Sequence, residues 1–336
     1  MRPVGSLAAG LVALALLTGC SADGSGPDVP TRAPATPAAA PAPAVPPAGR
    51  TALPGATYPL LAADPGSGLL AAAAGTRLDV LDPGAEPVAV ARTLTLPGAA
   101  AALVPGRPGE VLAAVPGAVV RVALGTGASS EVRVDGDVRS VAPGPEDTLV
   151  VGTGDGAIRT IGPDGAVRAT ADGLVSADAL AVVGGQITVL DRRQSMIAEL
   201  DTGADRLGLG LRAGDGATTL LADPLGRVLV TDTDHGELLV YTTAPLVLRQ
   251  RFPVGSSPYA LAYDAMSDTV WVSCTQSNEV VGFDLGTGIP VEVDRRPTVR
   301  QPDALAVDAR TGDLFVASAA GDGVQRIAAT DRKRGQ

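Results

Sequence analysis

An all-β fold is predicted by three observations on the sequence. A short apolar pattern recurs seven times: Leu61–Asp64, Leu103–Pro105, Val141–Pro143, Leu180–Val183, Leu221–Asp223, Leu261–Asp264 and Leu305–Asp308. The last residues of successive copies lie 41, 38, 40, 40, 41 and 44 positions apart. Each copy opens a unit of several short runs with period-two alternation, separated by turn residues. Repeats of about 40 residues with four short strands each specify a seven-bladed β-propeller.

The segments follow in chain order. Residues 1–19 read as an export signal: Arg2 supplies a positive start, and Leu7 to Leu17 form an apolar stretch too short for a comfortable membrane span. It ends in Leu17-Thr18-Gly19-Cys20, which resembles the lipobox of bacterial lipoproteins, where the chain is cut before a cysteine whose thiol carries a diacylglycerol. The competing reading is a plain secretory signal with an incidental cysteine. Lipid on Cys20 implies an exported chain anchored to the outer face of the cell membrane, since acyl chains contribute roughly 0.8 kcal/mol per buried methylene.

Residues 20–49 hold prolines at 27, 30, 34, 37, 41, 43, 46 and 47 among Ala, Gly and small polar residues. Proline removes backbone donors and favours extended polyproline conformations, so this segment is expected to be a disordered tether.

Residues 50–328 carry the blades. The sixth unit is the clearest, with an inner strand over 258–264, a second strand over 269–273, a third over 279–284 and an outer strand near 290–293. The seventh unit has three strands, over 302–308, 313–318 and 323–327, and then only a charged tail, 329–336. The segment Arg50-Thr51-Ala52-Leu53-Pro54-Gly55 parallels the outer-strand exit Arg92–Gly98. It is therefore expected to supply the missing fourth strand of blade seven and cover an otherwise open sheet edge.

Composition narrows the function classes. Acidic residues outnumber basic ones 36 to 26, Lys333 is the sole lysine, and no basic stripe with interleaved aromatics appears, so nucleic acid is not an expected partner. The cysteines are Cys20 and Cys274; with Cys20 acylated, no disulfide can form and the core must hold the fold. His235 is the single histidine, which leaves little scope for a His-based triad or zinc site.

A family resemblance rests on the sixth unit. Trp271-Val-Ser-Cys-Thr-Gln-Ser277-Asn278-Glu-Val-Val-Gly-Phe-Asp284 resembles the YVTN-type propeller repeat, with Cys274 where that pattern has Asn. Val228–Asp232 with Gly236–Tyr241, and Asp191 in the fourth unit, resemble the related NHL repeat. The ensemble of lipobox, Pro-rich tether and propeller is similar to actinobacterial propeller lipoproteins of the mycobacterial type. The resemblance implies the fold and is nearly silent on activity.

Candidate site residues follow from the blade register. Loops between second and third strands bring Asp191, Asp232, His235, Gln276 and Asn278 to one face. Asp178, Tyr259 and Asp303 start inner strands on that same face. Clustered carboxylates at a channel mouth suit a divalent cation or a hydroxyl-rich ligand. The alternative is that each Asp hydrogen-bonds its own turn. Arg192-Arg193 and Arg295-Arg296 read as solvated faces. The function expected is a lipid-anchored binding or scaffold module for an envelope protein or glycan, with no cofactor unless a cation sits at the mouth. A metal-dependent hydrolase or lyase of the lactonase kind is the second reading, because the propellers it resembles include such enzymes.

Overall fold

The structure, a computed structural model, describes residues 30–332. The signal, Cys20 and the lipobox residues Leu17, Thr18 and Gly19 lie outside the described residues, as do residues 333–336.

Among the described residues, twenty-eight strands form seven four-stranded antiparallel sheets. Six are simple meanders of consecutive strands. The seventh has the order Arg50–Ala52, Val324–Ile327, Leu314–Ser318, Pro302–Val307, so the N-terminal strand completes the last blade as expected. Its register pairs Arg50 with Arg326, Thr51 with Gln325 and Ala52 with Val324. Gly323 makes this approach possible: its φ is +76°, and a Cβ there would collide with the carbonyl oxygens of Ala52 and Leu53.

The core is divided among the seams. Seven buried apolar clusters each join two neighbouring blades, including Leu70, Leu81 and Phe315 between blades one and seven. Trp271 and Leu314 bridge blades six and seven. Alternate residues of the inner three strands face a neighbour on each side, which is why they read as almost continuous Ala, Val and Leu runs such as Leu70–Ala74. Small side chains let the inner strands converge.

Two segments differ from expectation. Residues 31–48 form an extended strap lying on the propeller instead of a free tether. The amide of Arg32 donates to the carbonyl of Arg193 at 2.9 Å, and that of Ala48 donates to the carbonyl of Pro297 at 2.9 Å. The physical reason is that a polyproline-like chain leaves its carbonyls and remaining amides free for outside partners. The start of the expected tail also docks. Ala329–Asp331 makes a 3-10 turn, the Ala329 amide bonds Asp313 Oδ1 at 2.9 Å, and the Arg332 guanidinium lies 5.1 Å over the Trp271 ring.

Candidate functional site

Inner strands run from one end of the propeller to the other, and second strands return. Pairing of Pro258 with Cys274, and of Pro302 with Ser318, therefore places inner-strand starts beside the second-to-third-strand loops. All the candidate residues share this end, here called the mouth. They do not form one cluster, however; the structure divides them into four roles.

Asp178, Tyr259 and Asp303 line the central channel, a cavity of about 260 Å³ with apolar walls such as Leu61, Leu103 and Leu305. Asp178 is held from three directions: Arg139 Nη1 at 3.0 Å, the Ser176 hydroxyl at 2.5 Å and the Arg192 amide at 2.9 Å. Asp303 accepts a bond from Gln301 Nε2 at 2.9 Å. Burial pushes its carboxyl up to about 6, with the Gln301 bond opposing the shift. Burial likewise raises the Tyr259 phenol, against the lowering field of Arg192.

Asp191 and Asp232 are fully buried away from the channel. Asp191 accepts from the amides of Val175 at 2.7 Å, Ser176 at 3.2 Å and Gln194 at 2.9 Å, and from the Ser176 hydroxyl at 3.1 Å. Asp232 accepts from the amides of Asp215 at 3.1 Å, Gly216 at 2.9 Å and His235 at 3.4 Å. Each carboxylate ties its own turn to the loop that leads into its blade, so the turn-forming alternative describes both.

His235 and the exposed Gln276 border a separate cavity of about 400 Å³, closed on one side by Thr36 and Ala38 of the strap. The His235 imidazole is half-exposed, 3.2 Å from Asp232. Asn278 is buried at φ +52°, a left-handed conformation that Asn tolerates. Its Oδ1 accepts the Gln301 amide at 3.0 Å, and its Nδ2 donates to the Pro41 carbonyl at 2.9 Å.

The strap supplies what the sequence reading missed. Arg192, expected as a solvated residue, is half-buried on the channel wall, and its Nη2 donates to the Ala35 carbonyl at 2.5 Å. Ser257 Oγ accepts the Ala38 amide at 2.9 Å. Gln301 accepts the Ala40 amide at 2.8 Å and donates to the Ala38 carbonyl at 3.2 Å. The one signal in the sequence was Gln301 standing directly before an inner strand, at the level of the other mouth residues. Among the described residues, no three His, Cys, Asp or Glu side chains converge as a metal site.

Comparison with known proteins places the fold. No protein-family model and no curated protein matches the chain. Solved structures do match. Hydrazine synthase of Kuenenia stuttgartiensis is similar at 14% identity and TM-score 0.70, over 83% of this chain and 97% of that one. Streptogramin B lyase is similar at 10% identity and TM-score 0.66, over 83% and 95%. A chain of a mitotic checkpoint complex is similar at 14% identity and TM-score 0.68, over 89% and 99%. At these identities the likeness is one of fold alone.

Proposed function

We propose that this chain is an exported, lipid-anchored envelope protein whose propeller serves as a binding and scaffold module for a protein or glycan partner. The observation that supports this most is the state of the mouth carboxylates. Asp178, Asp191 and Asp232 are all engaged by amides, hydroxyls or Arg139, which leaves them holding loops in place. What remains is a rigid, hydrogen-bonding rim around a narrow channel. The fold itself admits both binding and catalysis, since the similar structures include a lyase and a chain of a multi-protein complex. The decision therefore rests on side chains.

Asp303 favours the second reading, a hydrolase or lyase. Its carboxyl, raised to about 6 inside the channel, has the protonation balance of a general acid or base. It stays second because an acid–base group needs a converging partner, and Asp178, the other carboxylate lining the channel, is already saturated.

The test is affinity purification of the full-length chain from its own envelope after brief crosslinking, with metal analysis and an ester and lactone screen. The binding reading expects a stoichiometric envelope protein or glycan, and Cys20→Ala should move the chain from the membrane to the soluble fraction. Turnover that disappears in Asp303→Ala, with no retained partner, would replace this reading by the catalytic one.

A further inference from the structure

We propose that the mouth is a binding site for extended, proline- and alanine-rich peptide segments, and that residues 35–41 of the same chain occupy it in cis. The proposal rests on the binding-module reading and names the chemistry of its partner.

The mouth grips the strap by its main chain. Gln301 turns one carboxamide to both the carbonyl of Ala38 and the amide of Ala40. Those two groups lie two residues apart on one edge, which is how an extended peptide presents itself. Asn278 takes the Pro41 carbonyl, Ser257 the Ala38 amide and Arg192 the Ala35 carbonyl. The clamp side chains also hold one another. Asn278 and Gln301 bond each other, Gln301 is also fixed by Asp303, and Ser257 by the Thr275 hydroxyl at 2.9 Å.

The occupant's composition suits this grip. Pro37 and Pro41 fix φ and cannot donate, so the strap keeps its carbonyls outward and loses little entropy on docking. Residues 35, 37, 38 and 40 are only half-buried, so hydrogen bonds and not a deep apolar anchor hold the segment. Such a segment can exchange with one of like composition. The 400 Å³ cavity beside Thr36 and Ala38 leaves room for larger side chains on a segment bound in trans.

The probe is a fluorescent peptide of residues 33–43. It is titrated into the full chain and into a full chain whose residues 35–41 are a Gly-Ser run, which is less pre-organised. Removal of the cis occupant should tighten apparent binding at least ~10-fold, because the competent state is no longer filled. Gln301→Ala in the Gly-Ser chain should weaken it ~10-fold again, through loss of two hydrogen bonds. Equal binding to both chains, or indifference to Gln301→Ala, overturns the proposal. If the Gly-Ser chain does not fold, hydrogen exchange on the native chain decides: excess peptide must speed exchange at the Ala38 and Ala40 amides, and unchanged protection overturns the proposal. An envelope partner retained undiminished by the Gly-Ser Gln301→Ala chain sinks the peptide site while leaving the binding module standing.

Discussion

Single carboxylates at the mouth serve opposite ends. Asp191 answers three amides and a hydroxyl, those of Ser176 buried and those of Val175 and Gln194 half-buried, and its removal leaves them without their acceptor. Asp191→Ala should therefore cost about 1–3 kcal/mol in urea denaturation, the usual scale for orphaned donors of which some are buried. A change below about 0.5 kcal/mol would mean that the loop does not depend on it. Asp303 acts in the other direction. Its carboxyl rises from an ordinary 3.8 to about 6, so the folded state holds the proton more tightly than the unfolded state. The stability this contributes is complete below pH ~4 and is lost as pH rises through 6. The difference between wild type and Asp303→Asn should thus shift by about 1–2 kcal/mol between pH 4 and 7. The full shift would give about 3, but the mouth leaves this carboxyl partly solvated. Parallel pH profiles would rule the effect out. Cys274 is a third case: fully buried, with its thiol pushed up to about 12 by burial. A maleimide should label it in denaturant and leave it intact in the native protein, and rapid native labelling would contradict the packing described.

Among the elements, the strand Arg50–Ala52 carries the most consequence for its length. It closes the seventh sheet, and its Ala52 joins the apolar cluster between blades one and seven. Deleting residues 50–56 should lower stability by several kcal/mol, since it removes edge pairing and opens that seam together. Gly323→Ala should show part of the same loss, because its Cβ meets Ala52 and Leu53 at φ +76°. Near-native denaturation midpoints for both variants would refute this role. The strap is a different kind of element. Apart from Ala48 on Pro297, its bonds run to loops and side chains at the mouth from blade four to blade seven, as with Arg193, Asn278 and Gln301, so its loss should leave the sheets intact.

The whole molecule is a ring whose core is shared between neighbours, so no blade holds a complete core of its own. Blade six illustrates this: Val272 packs toward Leu229 of blade five, and Trp271 toward Leu314 of blade seven. Unfolding should accordingly be one cooperative step. Fluorescence of the single tryptophan, Trp271, and far-UV circular dichroism should trace the same urea curve. Separated curves would show that the blades unfold independently.

What the sequence determined by itself was everything periodic. The seven copies from Leu61 to Asp308 and the strand-like segment at Arg50 were legible because a repeat writes its hydrogen-bonding and burial pattern into local alternation. The grouping of mouth residues was legible only in part: Asp178, Tyr259 and Asp303 share a register position and line one channel, while Asp191, Asp232, His235, Gln276 and Asn278 do not. Their roles were not legible. Whether Asp191 faces a ligand or a turn depends on a few degrees of backbone direction and on amides sixteen residues away at Val175. Arg192 became a channel residue, and Asn278 a clamp, only through a strap some 150 to 240 positions distant in sequence. Contacts of that separation carry no local period, so only the closed ring, which brings residues 35–41 over the mouth, decided them.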